Sequence, residues 1–246
     1  MSGTACGPVR FIDLFAGIVG IRLGFERAFR RHETVFVSEW DTYAQATYRT
    51  NFPTPAEIAG DITKISEKDV PPFDVCLAGF PCQAFSLAGR RMGFQDSYKG
   101  VCRGTLFQDV VRICEYRKPQ VIFCENVKGL TIHDRGRTFK VIKGAFEELG
   151  YTVFDKVLNS HDFGVPQNRE RIYIVCFRKD IDASGFRFPE PTNGVASFWG
   201  DSDYTGYAES AAEDFVVREN ADSNLSRSGS RLKAFVVKIK RMTAPE

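Results

Sequence analysis

No stretch of about 18 consecutive apolar residues occurs in the 246-residue chain, so the pattern of a membrane-spanning helix is missing. The first ten residues lack a hydrophobic core followed by a small-residue cleavage site, which argues against secretion. No Cys-x-x-Cys pair occurs among the seven cysteines, and the three histidines are scattered, which argues against a zinc site, so no metal is expected. Cys76, Cys124 and Cys176 sit inside apolar runs, where reduced cysteine is a common buried residue. A reducing compartment, the cytoplasm, is expected. The glycines nowhere form Gly-x-Gly-x-x-Gly, which argues against a nicotinamide dinucleotide. No internal repeat is found.

Charge is nearly balanced, with 33 basic and 31 acidic side chains, but it is unevenly placed. Residues 82–105 carry four basic residues (Arg90, Arg91, Lys99, Arg103) against Asp96. Residues 201–222 hold seven acids and only Arg218, and residues 227–241 hold six basic residues and no acid. Acidic blocks of this kind are ordinarily solvated surface.

Through residue 190, short apolar runs alternate with amphipathic stretches. Residues 10–15, 34–37, 74–78, 120–125, 152–159 and 171–177 are predicted strands, rich in Val, Ile and Phe. Residues 21–31, 42–51, 105–117 and 137–149 are predicted helices; in the last, Phe139, Ile142, Ala145, Phe146 and Leu149 share one face. This alternation predicts an α/β fold with a mostly parallel sheet covered on both faces. Residues 160–170 are too few for a helical crossover, so the last strand is expected to be antiparallel. After Pro189 the chain is rich in Ser, Asp, Asn, Gly and Glu without periodicity, and only residues 232–239 resemble a strand. We therefore divide it into a catalytic domain, residues 1–191, and a polar linker with a short tail, residues 192–246.

Four blocks could carry chemistry. In the first, Asp13-Leu-Phe-Ala-Gly-Ile-Val-Gly20, a strand runs into Gly17 and Gly20 and then a helix, so a ligand could approach the backbone. Glu39-Trp40 ends the next strand, where nucleotide-binding sheets place an acid for ribose hydroxyls, and an indole can stack on a purine. Gly60-Asp61-Ile62 ends the third. Singly these read as a turn glycine, a solvated acid and a core tryptophan; together, at one sheet edge, they favour an adenosine-type cofactor. The second block is Gly79-Phe-Pro-Cys-Gln-Ala-Phe-Ser86, in which Cys82 opens the basic loop. A thiol with a pKa of ~8.5 is only a few per cent ionised at neutral pH, yet it remains a strong nucleophile. In the third, Phe123-Cys-Glu-Asn-Val-Lys128, Glu125 ends an apolar strand; a half-buried carboxyl there can serve as a proton donor, or simply cap a helix. The fourth is Gln167-Asn-Arg-Glu-Arg171, with two arginines spaced to share one face of a strand. Such charges also protect edge strands from aggregation.

In this order, Phe-Pro-Cys-Gln, Glu-Asn-Val and Gln-x-Arg-x-Arg make the chain resemble the DNA cytosine-5 methyltransferases, especially the small bacterial restriction–modification type, over residues 10–191. The resemblance implies an S-adenosylmethionine-dependent, Rossmann-like methyltransferase fold. Phe15, Ala16, Gly17, Ile18 and Gly20 would line the cofactor, Glu39 hold its ribose, Trp40 pack on adenine, and Asp61 and Ile62 contact the base. Pro81 and Leu106 would complete that pocket. It further implies that Cys82 adds to carbon 6 of a flipped-out cytosine, Glu125 binds ring nitrogen 3 and the exocyclic amine, and Arg171 holds the ring oxygen beside Arg169. The loop after Cys82 is similar to the family's mobile DNA-closing loop, with Gln83, Ser86, Arg90, Arg91 and Arg103 facing duplex DNA.

The chain departs from the family pattern in three places. Val19 stands where glycine is usual, and a β-branched residue resists positive φ. Residues 98–102 look like an insertion of about five residues, a length a loop absorbs at small entropic cost. The recognition domain and the last two family blocks, including a helix that closes the cofactor pocket, are not found. Some of the apolar face near Phe15, Ile18 and Phe25 is therefore expected to be exposed. A second subunit carrying those parts is expected as partner, besides duplex DNA on the bacterial nucleoid. The alternatives are a truncated cofactor- or DNA-binding fragment without catalysis, and an RNA cytosine methyltransferase on the same scaffold.

Overall fold

The computed structural model describes residues 7–52, 57–81, 106–165 and 167–191. The apolar runs form the strands β1 (Val9–Leu14), β2 (His32–Ser38), β3 (Ile58–Ala59), β4 (Val75–Ala78), β5 (Val121–Val127), β6 (Tyr151–Asn159) and β7 (Glu170–Arg178). They make one sheet in the order β3-β2-β1-β4-β5-β7-β6. Strands β1 to β5 pair in parallel, and β7 runs antiparallel to both β5 and β6. The expectation of a mostly parallel sheet with an antiparallel last strand holds. Between β6 and β7 lies a 3-10 turn, Ser160–Phe163, too short to carry the chain back for a parallel pairing.

Helices α1 (Gly20–Ala28), α2 (Thr42–Asn51), α3 (Leu106–Arg117) and α4 (Arg137–Glu148) follow the predicted amphipathic stretches. The first is shorter than predicted. Its boundary moves from residue 31 to Ala28 because Phe29 takes an extended conformation and buries its ring edge-on against Phe11, centroids 5.4 Å apart. Tertiary packing there overrides continued helical spacing.

Strand alternation sorts the core into two faces. Ile12, Leu14, Cys76, Ala78, Ile122, Cys124, Ile174 and Cys176 pack with α3 and α4, centred on Val110, Ile113, Ile142 and Phe146. Phe11, Val75, Leu77, Val121, Phe123, Val175 and Phe177 pack with Phe25 of α1, with Phe29 just beyond it and with Phe186. Phe25 is only 3% exposed, against Phe11 and Phe123, so it is not in the exposed part of that face. The sheet itself supplies its cover. Among the described residues, no helix is long and apolar enough to cross a membrane.

Candidate active site

The chain moves outward from β1 to β2 and β3, then returns to the other side of β1 with β4 and β5. The order reverses beside β1, the point at which open α/β sheets form a crevice beyond the carboxyl ends of their strands. Every parallel strand ends there on a block picked out from the sequence.

Beyond β1 the backbone turns sharply, with Phe15, Gly17 and Val19 at φ 58°, 53° and 86°. Ala16 donates its N–H to the Ser38 carbonyl at 3.1 Å. Gly17 donates to Glu39 Oε2 at 2.8 Å, and the second oxygen of Glu39 accepts from the Asp41 N–H at 2.9 Å. One buried carboxylate thus ties the glycine turn to the start of α2. Val19 caps α1 in the left-handed region despite its β-branch. Its side chain is fully buried with Ala16, Val37, Tyr48 and Ile58, so packing offsets a conformation that favours glycine. Gly20 opens α1, while Ile18 and Trp40 stand 64% and 78% exposed at this edge. Of the face expected to be open, Ile18 is exposed, Phe15 half-buried and Phe25 covered.

The ends of β2 and β3 are stitched together, Glu39 N–H donating to Ala59 at 2.9 Å and the Ser38 hydroxyl to the Gly60 carbonyl at 2.9 Å. Asp61 then starts a 3-10 turn, Ile62–Lys64, accepting from the N–H and hydroxyl of Thr63. Those bonds hold its carboxyl below its ordinary pKa. Ile62 points into the core at 3% exposure. Pro81 is exposed beyond β4, and Leu106 opens α3 half-buried against the core. Cys82, Gln83, Ser86, Arg90, Arg91 and Arg103 lie outside the described residues, as does the region 192–246.

On the other side of the crevice, antiparallel β7 brings its first residues to the edge where β5 ends, and Val127 pairs with Arg171 in register. The Arg171 guanidinium reaches Glu125 with Nε 3.0 Å from Oε1, both side chains about one-fifth exposed. Arg169 precedes the strand and is exposed, so the structure brings Glu125 and Arg171 together without Arg169.

Two features of the site are carried by residues that sequence reasoning did not assign. Asn126, buried beside Glu125, donates its side-chain amide to the Phe80 carbonyl at 2.7 Å and accepts from the Val127 N–H at 2.8 Å. The signal was its place inside the Glu-Asn-Val block. Asp13 lies buried on the α1 face of β1, where burial raises its carboxyl to about 7, opposed by Arg22 and reinforced by Glu26 and Glu39. Arg22 is buried too, stacked over the Tyr48 ring at 4.8 Å and paired with Glu26. A lone polar residue in an apolar strand carried no pattern that could reveal this cluster.

An open, doubly wound sheet with a glycine turn, an acid after β2 and a carboxylate–arginine pair after β5 has the architecture in which α/β proteins hold ligands beyond the carboxyl ends of their strands. Residues 9–240 match the family described as C-5 cytosine-specific DNA methylase, and the chain belongs to that family. It is 50% identical over 183 residues to the type II methyltransferase M.HhaI of Haemophilus parahaemolyticus, covering 74% of this chain and 53% of that one. It is 55% identical over 180 residues to M.HaeII of Haemophilus aegyptius, covering 73% and 53%. The crystal structure of S. pombe Dnmt2 methyltransferase superposes with a TM-score of 0.56 at 20% identity, covering 70% of this chain and 51% of that one. The fold is thus the Rossmann-like one of S-adenosylmethionine-dependent methyltransferases. The chain spans about half the length of the curated relatives it matches.

Proposed function

We propose that this chain is the catalytic part of an enzyme that methylates carbon 5 of cytosine in duplex DNA, within a cytoplasmic restriction–modification system. The observation that carries it is the Glu125–Arg171 pair at the sheet edge, beside Phe80-Pro81, which follow β4 and lead into Cys82.

S-Adenosylmethionine is the methyl donor the family implies, and when bound it supplies a methyl group on a positively charged sulfur. The residues fit it. A carboxylate offers about four acceptor sites, so Glu39, using two for Gly17 and Asp41, keeps two for a ribose diol. A Cβ added at Gly17 would meet nothing within 4 Å, so the turn leaves open space beside it. The exposed ring of Trp40 offers a face for adenine, and Asp61 with the Ile62 backbone offers polar groups for its edge. Phe15, Ala16, Ile18, Gly20, Pro81 and Leu106 would complete the lining.

Carbon 5 of cytosine is a weak nucleophile. Addition of the Cys82 sulfur to carbon 6 pushes an electron pair toward carbon 5 and ring nitrogen 3. A proton on the Glu125 carboxyl is donated to nitrogen 3 while the other oxygen accepts from the exocyclic amine, which stabilises that charge. Arg171 holds the ring oxygen, and its contact with Glu125 Oε1 fixes the orientation of that carboxyl group; Arg169 positions neighbouring groups. After transfer, loss of the carbon 5 proton and expulsion of the sulfur restore the ring. The cytosine must first leave the duplex, at a cost of about a few kcal/mol. Gln83, Ser86, Arg90, Arg91 and Arg103 would contact that DNA, the arginines through phosphates. Base readout would come from a second subunit or segment supplying the half that the relatives have beyond this match.

The test is a duplex carrying 5-fluorocytosine at the target site, offered to the chain together with its partner. A denaturation-resistant adduct should form, and Cys82→Ser should abolish it. The chain alone should bind cofactor weakly and methylate no duplex site. An adduct that survives Cys82→Ser, or sequence-specific methylation by the chain alone, would overturn the corresponding part of the reading.

A further inference from the structure

Arg112, part-buried on α3, makes three bonds that the cofactor chemistry described above does not use. Its Nε donates to Asp109 Oδ1 at 2.8 Å, one turn back on the same helix. One terminal nitrogen donates to Glu67 Oε2 at 3.0 Å, and the other to the Ile62 carbonyl oxygen at 2.8 Å. A guanidinium is a rigid planar fork, so two of its arms being held fixes where the third points. The third arm grips the backbone of the turn that Asp61 opens. Asp61 faces solvent on the outer side of that turn, bonded only to Thr63 and Lys64, while the Ile62 side chain anchors it in the core. The turn is therefore clamped from within by one side chain and from below by one guanidinium, and its outer groups are left free for a ligand.

We infer that Arg112 is a positioning residue for adenine recognition: it sets the Asp61–Ile62 turn so that this chain distinguishes the adenine base of its cofactor from other purines. The inference rests on the proposed placement of adenine at that turn and adds the residue that makes the placement selective. α3 (Leu106–Arg117) follows Cys82 in sequence and also holds the base-reading turn. A purine with a carbonyl in place of the exocyclic amine presents an acceptor where adenine presents a donor. A turn held to within a few tenths of an ångström rejects it, whereas a loosened turn rearranges to accept either.

The experiment measures binding of S-adenosylhomocysteine and S-inosylhomocysteine to the full chain by calorimetry, with circular dichroism to check folding. The wild type should favour the adenosyl compound by about tenfold or more, the worth of one well-placed hydrogen bond. Arg112→Met, which keeps the apolar stem and removes all three donors, should weaken adenosyl binding and cut the preference to about threefold or less. Arg112→Lys, which keeps the charge but cannot span three acceptors, should fall between them, and it carries the test if the methionine variant does not fold. Equal weakening of both compounds, with the preference intact, would mean that Arg112 is merely structural and would overturn the inference. Asp61→Ala separates the two levels. If it loses the preference while the Arg112 variants keep it, the inference fails and the base site stands. A wild-type chain with no preference between the compounds overturns the base site itself.

Discussion

The Asn126 amide donates to the Phe80 carbonyl at 2.7 Å, joining the end of β5 to the turn after β4 from inside the protein. Both residues are buried, so water cannot replace the bond if either partner is lost. The carbonyl belongs to the second residue before Cys82, and the amide to the residue after Glu125. The two halves of the proposed cytosine site are thereby held at a fixed separation by one hydrogen bond.

Asn126→Ala should therefore destabilise the fold by about 1–3 kcal/mol, the cost of leaving a buried carbonyl without a donor. In the active assembly it should lower kcat more than it raises KM for the methyl donor, because it disturbs the cytosine side of the crevice. Denaturant melts and steady-state kinetics check the two parts separately, and equal losses in kcat and in donor binding would place its role elsewhere.

Asp13 gives the stability a pH dependence of defined sign. Burial raises its carboxyl from an ordinary 3.8 to about 7, so the folded chain binds that proton more tightly than the unfolded chain. This contribution is complete below about pH 4 and is lost as pH rises through about 7. Asp13→Asn keeps the neutral shape and removes the titration. It should match the wild type in thermal melts near pH 4 and exceed it by a margin that grows to about a few kcal/mol by pH 8.5. Parallel pH profiles for the two proteins would show that Asp13 is not the titrating group.

Val19 offers a test of strain against packing. At φ 86° a β-branched residue costs about 1–2 kcal/mol, which its buried side chain offsets. Val19→Ala keeps most of the backbone cost and loses the packing; Val19→Gly loses the packing but relieves the backbone. The alanine variant should be less stable than the glycine variant by about 1 kcal/mol, the reverse of their order inside a helix. Urea midpoints at constant slope would measure the difference.

Cys76, Cys114, Cys124 and Cys176 should resist thiol reagents. All four lie fully buried in the core between the sheet and α3, and burial raises every one of these thiols above its ordinary pKa. In native buffer at pH 8, peptide mass spectrometry should find these four of the seven cysteines unmodified, and all seven modified in denaturant. Rapid native labelling of any of the four would show that the face under α3 opens readily.

What the sequence determined by itself is the order of elements and the chemistry at their ends. Apolar runs with period 2 and amphipathic stretches with period 3.6 are local signals, as are Gly17 and Gly20, Glu39-Trp40, Asp61, Glu125 and Arg171 at predicted strand boundaries. Tertiary structure decided what depends on neighbours distant in the chain. Phe29 leaves the helical pattern because a ring slot beside Phe11 is worth more than another helical turn. Phe25 is covered because β1 and β5 bring Phe11 and Phe123 to it. Arg171 meets Glu125, 46 positions away, only because β7 runs antiparallel and starts where β5 ends. Arg112 grips Ile62, and Asn126 grips Phe80, through side chains whose partners no spacing rule names. Hydrophobic period is written residue by residue, whereas a buried polar bond exists only once two remote segments have been packed against each other, where leaving either group unpaired would cost more than the bond itself yields.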